Sequence, residues 1–213
     1  MKLHRLPLLL ACCLIFTLAA CSLVRTQAPN QTETEPQAQE TKTETTHRTL
    51  ISQIQGAQHR SPLEGQTVTN VYGIVTGITG SGYYMQDPKP DLDERTSEGI
   101  FIATQKVSTV KVGDEVLITS GVVKEFNPAG VGNNSLTITQ IQTNDFNVLS
   151  KGNPLPEPMV LGEGGRTIPN QVIANDINGY AGKSGLFDPQ EDGLDFYECL
   201  EGMRAQVNQA LTV

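Results

Sequence analysis

Between Thr67 and Ile141 the chain reads as short runs in which apolar and polar side chains alternate, the period of half-buried strands. The runs are Thr67–Ile78, Tyr83–Gln86, Gly99–Ala103, Glu115–Phe126 and Ser135–Ile141, rich in Val, Ile and Thr. Turn-forming stretches separate them: Gly80-Ser-Gly82, a polar loop from Asp87 to Arg95, Val112-Gly-Asp114 and a Gly/Asn-rich tip from Asn127 to Asn134. Gly73, Gly77 and Gly121 fall inside strand patterns and predict bulges or bends, which a small closed sheet needs where one strand pairs on two sides. Upstream, Leu50, Ile51 and Ile54 have helical spacing stopped by Gly56, and predict a short helix plugging one end. The expectation for residues 49–150 is a mainly β, five-stranded OB-like Greek-key barrel with a short N-terminal helix; a β-sandwich or an open meander has the same periodicity.

The pattern changes after residue 150. Gly152-Asn-Pro-Leu-Pro-Glu-Pro158 predicts an extended, semi-rigid connection, and residues 151–213 read as this linker plus the start of a second, small α+β domain. Ile168–Ala174 predicts one helical turn, and a Gly-rich loop follows from Gly179 to Gly185. A helix is expected from Asp192 to Leu200 with Leu194, Tyr197 and Leu200 as its buried stripe. Met203–Val213 resumes strand alternation with Val207 and Leu211 inward, a strand whose partners are not in the sequence, as if the domain were truncated.

The N-terminus carries addressing information. Lys2 and Arg5 precede an apolar run from Leu6 to Ala20, and Leu18-Ala-Ala-Cys21 has the form of a bacterial lipobox. Residues 1–20 are therefore expected to be a lipoprotein signal and Cys21 the lipidated residue, anchoring the protein to a membrane of the cell envelope, facing the periplasm or the exterior; an ordinary signal or a transmembrane anchor is the alternative. Residues 21–48, rich in Thr, Glu, Gln and Pro, are expected to be a disordered tether. Of the four cysteines three lie in the first 21 residues, so Cys199 alone remains in the body and no intramolecular disulfide is expected. The net charge of −8 argues against a generic DNA-coating protein, and loss of Lys2 and Arg5 with the signal makes the balance more acidic.

Several short motifs occur in a distinctive order. They are Ile54-Gln-Gly56 with Ser61-Pro62 and Gly65, then Tyr84-Met-Gln-Asp-Pro88, Ser97-Glu-Gly-Ile-Phe101, Val112-Gly-Asp114, Gly152-Asn-Pro-Leu-Pro156, Gly193-Leu-Asp-Phe-Tyr-Glu198 and Leu200-Glu-Gly-Met203. Over about residues 50–213 this order resembles the N-terminal region of large secreted bacterial nucleases, which join an OB-like domain to a catalytic domain of the endonuclease/exonuclease/phosphatase superfamily. The resemblance implies a non-catalytic accessory module that binds or positions nucleic acid for a nuclease catalytic domain. The family's metal ligands and catalytic His lie downstream of the matched region, so no catalytic residue is carried over and the chain is expected not to be an enzyme.

The residues themselves offer three chemistries. OB strands 2 and 3 present aromatics on which unpaired bases stack, here Tyr83, Tyr84 and Phe101; alternation places the two tyrosines on opposite faces, so one is core. With Tyr84 and Phe101 as the platform, Lys89, Arg95, Lys106 and Lys124 are the candidate phosphate contacts for weak, salt-dependent binding of single-stranded DNA. No cofactor is expected. Calcium is a candidate only at the acidic segments, with Asp188, Asp192 and Asp195 as ligands, or in the Asp87–Glu94 loop, neither of which follows the EF-hand pattern. His59 is expected to be solvated in a polar loop, Cys199 to be a structural thiol against the helix, and Ser61 to lack the setting of a nucleophile. The alternative function is a cell-surface interaction module that binds protein or glycan.

Overall fold

The computed structural model describes residues 47–133, 135–175, 186–208 and 210. The signal, Cys21, the tether up to residue 46, the Gly-rich loop and Leu211 lie outside the described residues. Among the described residues no helix is long and apolar enough to cross a membrane.

The structure is mainly β. A short helix α1 (Ile51–Gln55) precedes strands β1 (Thr67–Ile78), β2 (Gly82–Gln86), β3 (Gly99–Ala103), β4 (Glu115–Phe126) and β5 (Ile138–Ser150), with a 3₁₀ turn at Val107–Thr109. The five strands hydrogen-bond in a closed ring of order β1-β2-β3-β5-β4. Its N-terminal strand pairs on both sides: Thr67–Ile74 run antiparallel to β4, and Ile74–Ile78 antiparallel to β2. Between Val75 and Gly77 the register with β2 slips, the irregularity that the interior glycine predicted. The β3–β5 pair is parallel and closes the ring.

Alternation fills the ring. Tyr83, Ile102, Ile141 and Val123 are direct cross-strand partners in sequence across β2, β3, β5 and β4, and each is fully buried. Val71, Val75, Met85, Ile100, Val116 and Ile118 complete the layer, and Ile51 and Ile54 of α1 pack into the same core. Each such side chain taken from water contributes roughly 1.5–3 kcal/mol. α1 starts with the Leu50 N–H donating to Gln53 Oε1 (3.1 Å) and ends at Gly56, whose φ of +70° a side chain would resist. Arg48, expected within the tether, pairs with Asp87 at 2.5 Å and lies 5.4 Å from the Tyr72 ring centroid.

Strand β5 runs to Ser150, beyond the expected end at Ile141. Its continuation looks polar, but Thr143 is buried and, past an irregularity in the β4–β5 register that shifts the alternation by one residue, Phe146 and Val148 pack on the core. Beyond it, β6 (Met159–Leu161) pairs in parallel with β7 (Ala205–Val207), and helix α2 (Gly193–Glu198) lies between them in sequence. Here three expectations fail. Residues 168–174 form no helical turn. The buried stripe is Phe196, Cys199 and Leu200, with Asp192 and Asp195 on the same face, while Tyr197 is 55% exposed. Val207 is likewise exposed, as are all three residues of β7. The apolar spacing misled because two carboxylates occupy inward positions.

This C-terminal segment docks on the ring through backbone contact. Gly99, at the start of β3, abuts Gly202 so closely that a Cβ on Gly99 would overlap the Gly202 backbone. Ser97 Oγ donates to Glu201 O (2.6 Å), and the Arg204 N–H donates to Gln86 Oε1 (2.9 Å). Gly99→Ala should therefore lower stability by about 1–3 kcal/mol in chemical denaturation and raise hydrogen exchange at 199–204; unchanged values would contradict the contact.

Candidate functional site

The outer face of the ring follows from the inner one. One residue along from the buried row Tyr83–Ile102–Ile141–Val123, the register aligns Tyr84, Phe101, Gln140 and Lys124 as direct partners across β2, β3, β5 and β4. All four therefore project outward. The Tyr84 and Phe101 rings meet with centroids 4.9 Å apart and planes inclined by 59°. Two residues further along the β4–β5 ladder, Phe126 pairs with Ile138, and Phe126 is 50% exposed. Tyr84, Phe101, Phe126, Ile138 and Gln140 line a cleft of about 390 Å³.

Two further clefts continue it. One of about 370 Å³ shares Tyr84 and is walled by Gly202, Met203 and Arg204 of the docked segment. The other, of about 630 Å³, shares Ser81 and Ala103 and is lined by amides and hydroxyls, among them Gln105, Gln142, Thr143 and Asn144. Among the described residues no carboxylate lines any of the three clefts, although acids outnumber bases 23 to 15 in the chain. The side-chain amides of Gln140, Gln142 and Gln105 make no hydrogen bond within the described residues.

The expected basic residues divide. Lys124 stands in the aromatic row, opposite Gln140. Lys106 borders the amide-lined cleft, its Nζ donating to Asn144 O (2.6 Å). Arg95 is removed from the face: it lies in the β2–β3 loop and spends its guanidinium on Asp93 at 2.8 Å, which also holds the Asp93 carboxyl down at about 2. Lys89 is exposed in that same loop. Phe126, Ile138, Gln140, Gln142 and Arg204 were not anticipated as site residues. Alternation alone turns Phe126 and Gln140 outward, but only the cross-strand register brings them to Tyr84 and Phe101.

Asp188, Asp192 and Asp195 do not assemble a ligand set: among the described residues no group of three or more His, Cys, Asp or Glu is placed to hold a metal ion. Asp195 is buried and accepts from His59 Nε2 (2.7 Å) and the Asp188 N–H (2.6 Å), and Asp192 accepts from the Asn175 N–H (3.1 Å). His59 is thus not a solvated loop histidine. It is 7% exposed, clamped between Asp195 and Glu198, whose Oε2 lies 3.4 Å from Nδ1, with the Phe187 ring edge-on at 5.4 Å. A partner that comes from 136 residues away leaves no trace in the local sequence. Cys199 is buried, and burial pushes its thiol up to about 12, which suits a structural role.

These buried groups make the docked segment sensitive to pH. Burial opposes a charge on His59, yet the hydrogen bonds and charges of Glu198 and Asp195 raise it above its ordinary 6.5. Burial raises Glu198 against the pull of His59. Glu201, which accepts from the Thr139 N–H (2.9 Å) and Gln55 Nε2 (3.4 Å), reaches about 8 through burial and then the charge of Glu198.

A family model described as a domain of unknown function (DUF8508) matches residues 160–213, from β6 through the docked segment. No curated protein matches the chain.

His59, Glu198 and Glu201 each hold a proton more tightly folded than unfolded. Their stabilisation is full below the unfolded values, 4.5 for the two glutamates and 6.5 for His59, and is lost as pH rises through the folded values. The melting temperature should fall between about pH 5 and about pH 8.5. Glu201→Gln keeps an acceptor for Thr139 but cannot ionise, so it should flatten that fall and gain on the order of 1 kcal/mol over wild type at the alkaline end. Superimposable curves for the two proteins would contradict this assignment.

Proposed function

We propose that the outer face of the ring binds single-stranded nucleic acid, stacking unpaired bases on Tyr84 and Phe101, and that the protein is a non-catalytic OB-type module. Support for the OB reading comes from the strand order, with β1 shared between β2 and β4 and a parallel β3–β5 closure. The observation that carries the function is the aromatic row itself: a tilted ring pair, an amide and a lysine in cross-strand register, within clefts whose described lining presents no carboxylate to a phosphate backbone. In this reading the lipid on Cys21 and the tether hold the module at the envelope surface, where it positions strands for a nuclease catalytic domain. A neutral oligosaccharide is the second reading, favoured by the amide- and hydroxyl-lined third cleft.

Fluorescence anisotropy with a labelled oligothymidylate at low salt tests it. With Lys124 and one or two further cations at the face, log K should fall with log salt at a slope of only about −1 to −2. Tyr84→Ala and Phe101→Ala should each weaken binding by about 1–3 kcal/mol, roughly 5- to 150-fold. Absence of binding at low salt, or unchanged affinity in both variants, would overturn the nucleic-acid reading; competition by neutral glucans in its place would establish the second. A nuclease assay with magnesium should show no hydrolysis above background.

A further inference from the structure

A separate cleft lies between the docked segment and the β2–β3 loop and shares no lining residue with the clefts of the aromatic face. Arg166 follows the Gly162–Gly165 turn and is fixed at the edge of β6, where its N–H donates to Val160 O (2.9 Å) and Leu161 bridges it. Its side chain is 11% exposed, and the guanidinium carbon stands 5.0 Å from the centroid of the Phe196 ring. A guanidinium keeps its charge and offers five N–H donors, so burying it demands matching acceptors. Here the acceptors are poor. Among the described residues Glu94 is the one carboxylate in ion-pair range, 3.9 Å from Nε and itself 66% exposed, and the Cys199 thiol, held protonated by burial, stands beside the guanidinium. No hydrogen bond joins the guanidinium to a carboxylate or carbonyl among the described residues.

This sheltered cation lines a cleft of about 410 Å³. Met159 and Phe196 give the cleft an apolar wall, while Thr167 and Gln190 add a hydroxyl and an amide. We propose that this cleft is a binding site for an organic carboxylate with an apolar or aromatic body. The carboxylate pairs with the Arg166 fork and the body lies along Met159 and Phe196. Glu94 marks the direction from which an anion approaches. As a long, exposed ion pair it contributes roughly 0–1 kcal/mol and is readily displaced, whereas a bidentate carboxylate on a sheltered guanidinium makes two charge-assisted hydrogen bonds.

The proposal makes Glu94 a competitor of the ligand, which a purely structural ion pair would not be. Titration of the full chain with 3-phenylpropionate, followed by amide and Arg Nε chemical shifts, should give saturable binding with shifts at Arg166 and Phe196. The neutral isostere 3-phenylpropanol should bind at least about tenfold weaker, the loss of one charge-assisted pair. Glu94→Gln, an exposed change that leaves the fold alone, should tighten 3-phenylpropionate several-fold, and Arg166→Lys should weaken it while retaining the charge. Failure of wild type to bind 3-phenylpropionate, equal binding of the alcohol, or unchanged or weaker binding in Glu94→Gln would each overturn the assignment. None of these outcomes depends on nucleic-acid binding at the aromatic face.

Discussion

Three parallel pairs between β3 and β5, Phe101 with Gln140, Ile102 with Ile141 and Ala103 with Gln142, decide the architecture. Without them β3 would be an open edge and the ring a curled sheet with its core facing solvent. With them, the inner register places Ile102 on Ile141 and seals the apolar layer, and the same register one residue along places Phe101 beside Gln140 and, through β4, Lys124. Core and candidate binding face are two readings of a single hydrogen-bond ladder.

The C-terminal segment adds a wall to that face and does so by unusual means. Its fit rests on a glycine–glycine backbone approach at Gly99 and Gly202 and on polar contacts that bury ionisable groups, where a larger apolar interface would have needed more side chains than the Leu161–Phe196–Leu200 cluster supplies. His59, when protonated, compensates Asp195 and Glu198, while among the described residues Glu201 has the neutral donors Gln55 and Thr139 to hold it. Burial of that kind is tolerated when the group keeps its proton, so the docking is electrostatically conditional. Gly202, Met203 and Arg204 follow directly from Glu201 and border Tyr84, which links the seating of the segment to the shape of the groove.

Much of the ring was legible in the sequence because alternation is a local property. The bounds of β1, β3 and β4 coincide with the runs read from periodicity, and Gly56 stops α1 as its position predicted. Tyr84 and Phe101 were identifiable as outward candidates once Tyr83 was assigned to the opposite face. What was not legible depends on partners distant in the chain. The register that brings Phe126, Ile138 and Gln140 to the aromatic pair, the capture of His59 by Asp195, and the turn of α2 that points acids inward and Tyr197 outward are all tertiary choices. In α2 the apolar spacing of Leu194, Tyr197 and Leu200 competed with Phe196 and Cys199, and the buried hydrogen bonds to Asp195 decided between the two faces.

On the proposed function, ligand bases stack on the cross-strand row of the outer face. Amide and aromatic chemical-shift mapping during titration with unlabelled oligothymidylate at low salt tests it most directly. Perturbations should centre on Tyr84 and Phe101 and extend to Phe126, Ile138, Gln140 and Lys124, with upfield ring-current shifts of the two aromatic rings. Perturbations confined to the α2 side of the molecule, or none at concentrations that saturate binding, would contradict it.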